Sequence, residues 1–150
     1  MKKLRIANRV VVYDNNSNKV LLVRNRGQNF WYPPGGGWEY ETERIIQGAK
    51  REVKEETSLN VNIGRLLYVQ EFHDKPDSIS FEIFWLGWPQ ANANFNGVGA
   101  QDNDDGRVGD VRWFDKEEIR GIKVFPKRLQ SVFWKNINSA LTQEDPFLEA

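Results

Sequence analysis

The sequence predicts a single compact α/β domain, and three observations carry that prediction. Runs rich in valine, isoleucine and aromatics alternate with turn-forming clusters along most of the chain. Between them lies one long stretch in which apolar residues recur at helical spacing. A chain of 150 residues with 39% hydrophobic and 13% aromatic content is also enough to fill one core.

Taken in order, Arg5 to Tyr13 reads as a strand, Asp14 to Asn18 as a turn and Lys19 to Arg24 as a second strand, together a hairpin. The run RNRGQNFWYPPGGGWEYE has the composition of an ordered surface loop whose backbone approaches something closely. Thr42 is the expected N-cap of the helix that follows, and Glu43 suits the positive end of its dipole. Ile45, Ile46, Ala49 and Val53 form the core stripe of this helix, which runs through Thr57. Asn60 to Phe72 and Ser78 to Trp88 read as strands joined by a turn at 73–77. From Pro89 to Asp110 the chain is polar, glycine-rich and acidic, which marks either a functional or a mobile loop. A short strand, Val111 to Phe114, leads to a turn of helix at Glu117 to Ile119. Pro126 then opens a last helix through Leu129, Val132, Phe133 and Ile137. The whole of 1–150 is expected to be one domain, with a loosely held tail at 142–150.

Composition removes several function classes. Without cysteine there is no disulfide, no thiolate zinc site and no cysteine nucleophile. A single histidine, His73, disfavours an imidazole zinc site and a serine, histidine and aspartate triad. Lys plus Arg (21) balances Asp plus Glu (21), so no net field draws the chain to large nucleic acids or to anionic membranes. The opening MKKLRIANRVVVYD is too short in its apolar run for a signal peptide or a membrane helix, and the expected location is cytoplasmic.

Chemistry concentrates on the helix. Glu52, Glu55 and Glu56 fall within one turn, and Glu52 and Glu56 lie seven residues after Ile45 and Ala49, so both acids continue the rows used for the core. Inward carboxylates in mutual contact need a compensating cation or donor. A hard divalent cation with oxygen ligands fits best, and magnesium, which also takes phosphate oxygens, fits better than zinc or copper. The competing reading is a solvated face paired with Lys50, Arg51 and Lys54.

The surrounding residues resolve that competition. From Gly37 the chain reads Gly, five residues, Glu43, seven residues, Arg51, Glu52, Val53, Lys54, Glu55, Glu56, Thr57, Ser58, Leu59. This resembles the Nudix box, matching eight of nine specified positions over 23 residues. Two departures stand out: Ser58 replaces a glycine, and Thr42 stands where a glycine commonly precedes the first glutamate. The run PPGGGWEYETE is also one residue longer than the common form, which leaves the register among Gly35, Gly36 and Gly37 open by one position.

The resemblance implies an α/β/α sandwich with a mixed β-sheet and a hydrolase of nucleoside diphosphates linked to some group X. Such substrates include nucleoside triphosphates, oxidised nucleotides and sugar nucleotides such as ADP-ribose. It further implies Mg2+, with Mn2+ as a substitute, held by Glu52, Glu55, Glu56 and the Gly37 carbonyl, with Arg51 and Glu43 orienting the set. Glu52, Glu56, Arg51 and Glu43 are the expected catalytic residues. The proton acceptor is open among Glu52, Glu71, Glu82, Asp105 and Asp110.

For the rest of a small nucleotide-like substrate, Arg24 and Arg26 could reach phosphate. Trp31, Tyr32, Trp38, Phe72, Trp85 and Trp88 offer stacking surfaces, and Glu82 lies within an aromatic strand. Oligomeric state stays open, a homodimer included. The alternative function is a nucleotide-sensing or protein-binding module on the same fold with weak turnover.

Overall fold

The structure, a computed structural model, describes residues 1–93, 95, 99, 106–137 and 144–148, and the backbone alone of Asp74. Strand alternation decides how its two faces are used. In β1 (Lys3–Asp14), Val11 and Tyr13 point to one side and Val10 and Val12 to the other, and all four are buried. A strand apolar on both faces belongs in the middle of a sheet with cover on each side.

That is where β1 lies. It forms the expected antiparallel hairpin with β2 (Lys19–Asn25), in register from Val12 opposite Leu21 to Asp14 opposite Lys19. On its other side it pairs in parallel with β6 (Ser78–Pro89), which itself forms an antiparallel hairpin with β5 (Val61–Lys75). Two short strands, β3 (Phe30–Tyr32) and β4 (Gly35–Gly37), pair with β2 and β1 respectively. β7 (Val108–Asp115) also pairs with β2, and β8 (Lys123–Val124) runs parallel to β3. Among the described residues these make one mixed sheet of eight strands, ordered β5-β6-β1-β2-β3-β8 with β4 and β7 branching from β1 and β2.

Helices cover both faces. On one, Ala49 and Val53 of α1 (Ile45–Thr57) pack on Val10, Val12 and Leu21. On the other, Ile119 of α2 (Lys116–Arg120), Leu129 of a 3-10 turn (Lys127–Gln130) and Phe133 of α3 (Val132–Asn136) pack on Val11, Tyr13, Leu22 and Phe84. Each fully buried valine or leucine contributes about 1.5–3 kcal/mol through loss of apolar surface.

Several expectations are corrected. The glycine-rich run is not a surface loop: Trp31 and residues 33–36 are buried, and Gly35–Gly37 is a sheet strand against Ala7–Arg9. Close backbone approach is nevertheless what it does, since a Cβ on Gly35 would lie 2.0 Å from the Asn8 carbonyl oxygen. α1 starts later than expected, with Arg44 as its cap and Thr42 in a turn on Glu39. The last helix is broken into a 3-10 turn, Lys127–Gln130, and a short α3. About half of the loop from Pro89 to Asp110, including 100–105, falls outside the described residues, and its ends extend β6 and β7. In the tail expected to be loose, Val69 donates to the Pro146 carbonyl and accepts from Leu148. Glu144 there receives the Tyr68 hydroxyl.

Ser58 ends α1 in the left-handed region, φ 70, the conformation that a glycine adopts without strain. Its amide donates to the Lys54 carbonyl and its hydroxyl to the Gly99 carbonyl, contacts that offset part of the cost. Thermal denaturation is therefore expected to find Ser58→Gly as stable as the parent or more so by about 0.5–1 kcal/mol. Ser58→Val, with a branched Cβ at the same φ, should lose about 1–2 kcal/mol. Equal melting of the two variants would contradict this account.

Candidate active site

The glutamates on α1 do turn inward. Glu52 and Glu56 are each 8% exposed, and Glu55 is half-buried. Arg51 ties the cluster together. Its Nε and Nη2 grip both oxygens of Glu43, each at 2.9 Å. Its Nη1 is shared between Glu52 and Glu55, both at 3.1 Å, and its Nη2 reaches the Gly37 carbonyl at 3.3 Å. The planar fork of arginine makes this set of contacts available from one side chain. Gly48 leaves the room Glu43 occupies, since a Cβ there would meet its carboxylate at 2.6 Å.

β4 closes the cluster from the sheet side. The Gly35 amide donates to Glu56 at 2.8 Å, and the Glu52 carboxylate lies where a Cβ on Gly36 would be, 2.5 Å away. Gly37 presents the carbonyl that Arg51 reaches.

Burial governs the protonation of these acids. Loss of solvent pushes Glu56 up to about 7, resisted by the Gly35 amide and by the positive charge of Arg9. Loss of solvent also raises Glu52, with Arg51 opposing it. Glu43 is held below the ordinary carboxylate value by its hydrogen bonds with Arg51, and Arg51 is raised in turn by Glu43.

These groups fit a hard divalent cation. Arg51 brings positive charge to the oxygens of Glu52, Glu55 and Gly37, so a cation is what that donor set already accommodates. Among the described residues no three acidic or imidazole side chains converge as a finished cation cage, consistent with Arg51 lying between the carboxylates.

Beside the cluster opens a cleft of about 390 Å³. Arg5 and Arg9 of β1 and Ser80 and Glu82 of β6 give it polar groups. Phe30, Tyr32, Phe72 and Phe125 give it flat apolar ones. Arg5 connects the cleft to the cluster, its guanidinium 3.8 Å from the Cβ position of Gly37. A larger cavity, about 550 Å³, lies at the opposite end of β1 between Asn15 and Trp88. Among the described residues its one charged lining group is Asp14, which is engaged by Ser17 in its own turn.

Compared with known proteins, the family model of the NUDIX domain matches residues 3–134, most of the chain. The chain belongs to the Nudix family. A curated relative, nucleoside diphosphate-linked moiety X motif 6 of Mus musculus, is 36% identical over 77 residues, 50% of this chain. The match spans 24% of that protein's length. The solved ADP-ribose pyrophosphatase from Streptococcus suis 89-1591 superposes with a TM-score of 0.69 at 19% identity, covering 96% of this chain and 98% of that one. The MutT protein from Methanosarcina mazei Go1 gives 0.64 at 21% identity, covering 89% and 93%. At these identities the two structures speak for a shared Nudix fold.

The structure brings together only part of what the sequence offered around the Nudix box. Tyr32, Phe72 and Glu82 line the cleft. Trp31 does not: it is 5% exposed and packs edge-on against Phe114, 4.8 Å between ring centres. Neighbouring positions in a strand face opposite ways, so Tyr32 in the cleft puts Trp31 in the core. Trp85 lies on the α1 side of the sheet and donates to Asn8, and Trp38 donates to the Glu43 carbonyl. Trp88 borders the distant cavity. Arg24 pairs with Asp110 at 2.8 Å over the Trp31 ring, and Arg26 donates to the Gly106 carbonyl.

Of the candidate proton acceptors, Glu71 is exposed beside His73, Asp110 is taken by Arg24 and Glu82 by Arg9. Asp105 lies outside the described residues. Arg5 and Arg9, which no motif singles out, are the functional candidates that the sequence hides. Their even spacing on β1, which puts both on one face, is the available signal.

Proposed function

We propose that this Nudix protein is a magnesium-dependent hydrolase that cleaves a phosphoanhydride bond in a nucleoside diphosphate linked to a group X. Manganese is the expected substitute. The inward glutamates gathered on Arg51 beside a nucleotide-sized cleft support this reading most directly. In this reading Glu55, Glu56 and the Gly37 carbonyl hold the cation, with Glu52 beside them. When bound, the cation neutralises the diphosphate and makes a water more acidic. Glu52, raised by burial and with Arg51 on one oxygen only, accepts the proton of the attacking water. Arg51 and Glu43 fix the orientation of that carboxylate, and Arg5 meets phosphate at the mouth of the cleft.

The substrate is a small molecule, and no described helix is long and apolar enough to cross a membrane. Ser58, the departure that motivates a weak sensing module, spends its amide on Lys54 and its hydroxyl on Gly99.

The deciding assay measures nucleoside monophosphate release with magnesium across nucleoside triphosphates, ADP-ribose and sugar nucleotides. Turnover that requires the metal is expected, and absence of turnover on every substrate would overturn the reading. Gly36→Ala supplies a finer check. The three atoms nearest its methyl group all belong to the Glu52 carboxylate, the far end of a flexible side chain, so stability should change by less than about 1 kcal/mol. Activity should fall by roughly ten- to a hundredfold, as when the support of a ligand carboxylate is disturbed. Full activity in Gly36→Ala would remove Glu52 from the mechanism.

A further inference from the structure

Within the cleft, Arg9 and Glu82 lie 2.8 Å apart, their side chains 22% and 9% exposed. Arg9 Nε donates to Glu82 Oε1 and Nη1 to the Pro33 carbonyl. Among the described residues Arg9 Nη2 and Glu82 Oε2 are the atoms of the pair that no protein group engages by a hydrogen bond. Aromatic rings line the same space in two pairs, Phe30 with Tyr32 at 6.2 Å and Phe72 with Phe125 at 5.7 Å. The cleft thus offers stacking surface, a volume suited to a nucleoside, and a donor fixed beside an acceptor.

We infer that Arg9 and Glu82 read the base of the substrate and that the base they select is guanine. This rests on the cleft being the nucleotide site of the proposed hydrolase. Guanine presents an acceptor, O6, next to two donors, N1–H and the N2 amino group. Arg9 Nη2 donates to O6, Glu82 Oε2 accepts from the N2 amino group, and Oε1, which keeps a lone pair beside its bond from Arg9 Nε, accepts from N1–H. Adenine, cytosine and uracil each offer the carboxylate a single donor, and uracil also turns a carbonyl oxygen toward it. Guanine therefore gains one charge-assisted hydrogen bond over each of them, and a polar site of this kind leaves a buried charge under-paired when the wrong base enters. The pair reads the edge away from C8, so it does not separate guanine from its C8-oxidised form.

Calorimetric titration of the intact wild-type protein with GMP, IMP, AMP and UMP tests this without requiring turnover. GMP should bind tightest, with AMP and UMP at least about tenfold weaker, the scale of one hydrogen bond to a charged group. IMP, which lacks only the N2 amino group, should fall between. Glu82→Gln, checked for folding by circular dichroism, should compress the series to within about threefold. Should that variant unfold, the wild-type series decides alone. AMP or UMP binding as tightly as GMP, IMP equal to GMP, or no binding of any monophosphate would each overturn the inference. A flat series alongside metal-dependent hydrolysis of all bases removes the guanine reading and leaves the hydrolase in place. GMP-selective binding with no turnover of any nucleotide does the reverse.

Discussion

Replacing Glu56 with glutamine is expected to slow catalysis severely while making the metal-free protein harder to unfold at pH 8. The carboxyl group titrates near 7 in the folded protein against 4.5 for the free group, because burial disfavours its charge. The folded state therefore binds this proton more tightly than the unfolded state does, and stability falls as pH rises from about 4.5 to about 7. The accumulated loss is on the order of 3 kcal/mol above pH 7. Glu52, raised in the same direction, adds to the slope, whereas Glu43, which is lowered, acts only on the acid side. Glutamine still accepts the Gly35 amide bond and carries no charge to desolvate. Melting curves in a chelator between pH 5 and 8.5 should fall with pH for the parent and stay flatter for Glu56→Gln. Turnover should drop by roughly a hundredfold or more, as when one electrostatic contact to a reacting group is lost. Parallel melting profiles would show that Glu56 is not a suppressed charge.

Arg51→Ala should have the largest effect on the fold around the site. It removes the partner of Glu43, Glu52 and Glu55 at once and frees the Gly37 carbonyl. Stranding largely buried carboxylates is destabilising by about 3 kcal/mol, the lower end for breaking a buried pair because Arg51 keeps some solvent contact. For a domain of this size that is a fall in melting temperature on the order of 10 °C. Arg51→Lys should recover little, since an ammonium group cannot grip Glu43 with two parallel bonds while also reaching Glu55 and Gly37. A lysine variant that melts with the parent would mean that charge alone, and not the fork, holds the cluster.

The legible part of this site is the part written within one helix. The spacing of Glu52 and Glu56 with Ile45 and Ala49 placed both acids inward, and both are buried. The hairpins β1–β2 and β5–β6 were legible for a similar reason, because a turn and two alternating runs are local signals. What stayed hidden depends on pairing between distant segments. Nothing local announces that β1 runs parallel to β6, yet that pairing puts Arg5 opposite Ser80 and Ala7 opposite Glu82 and so builds the cleft. Trp31 and Tyr32 could not be told apart by composition, since which of two adjacent aromatics faces a core depends on the sheet they join. The glycine run reads as a loop because a three-residue strand without side chains has no periodicity.

The segment at 144–148 does more than contact Val69. Among the described residues β5 is the last strand of its side of the sheet, and a border of amides and carbonyls of that kind invites a second sheet to add on. By taking the Val69 amide and carbonyl for itself, and by fastening Glu144 to Tyr68 and Arg128, this short piece breaks the border at its middle. Its removal would expose the Val69 amide and carbonyl along that edge to pairing with another strand.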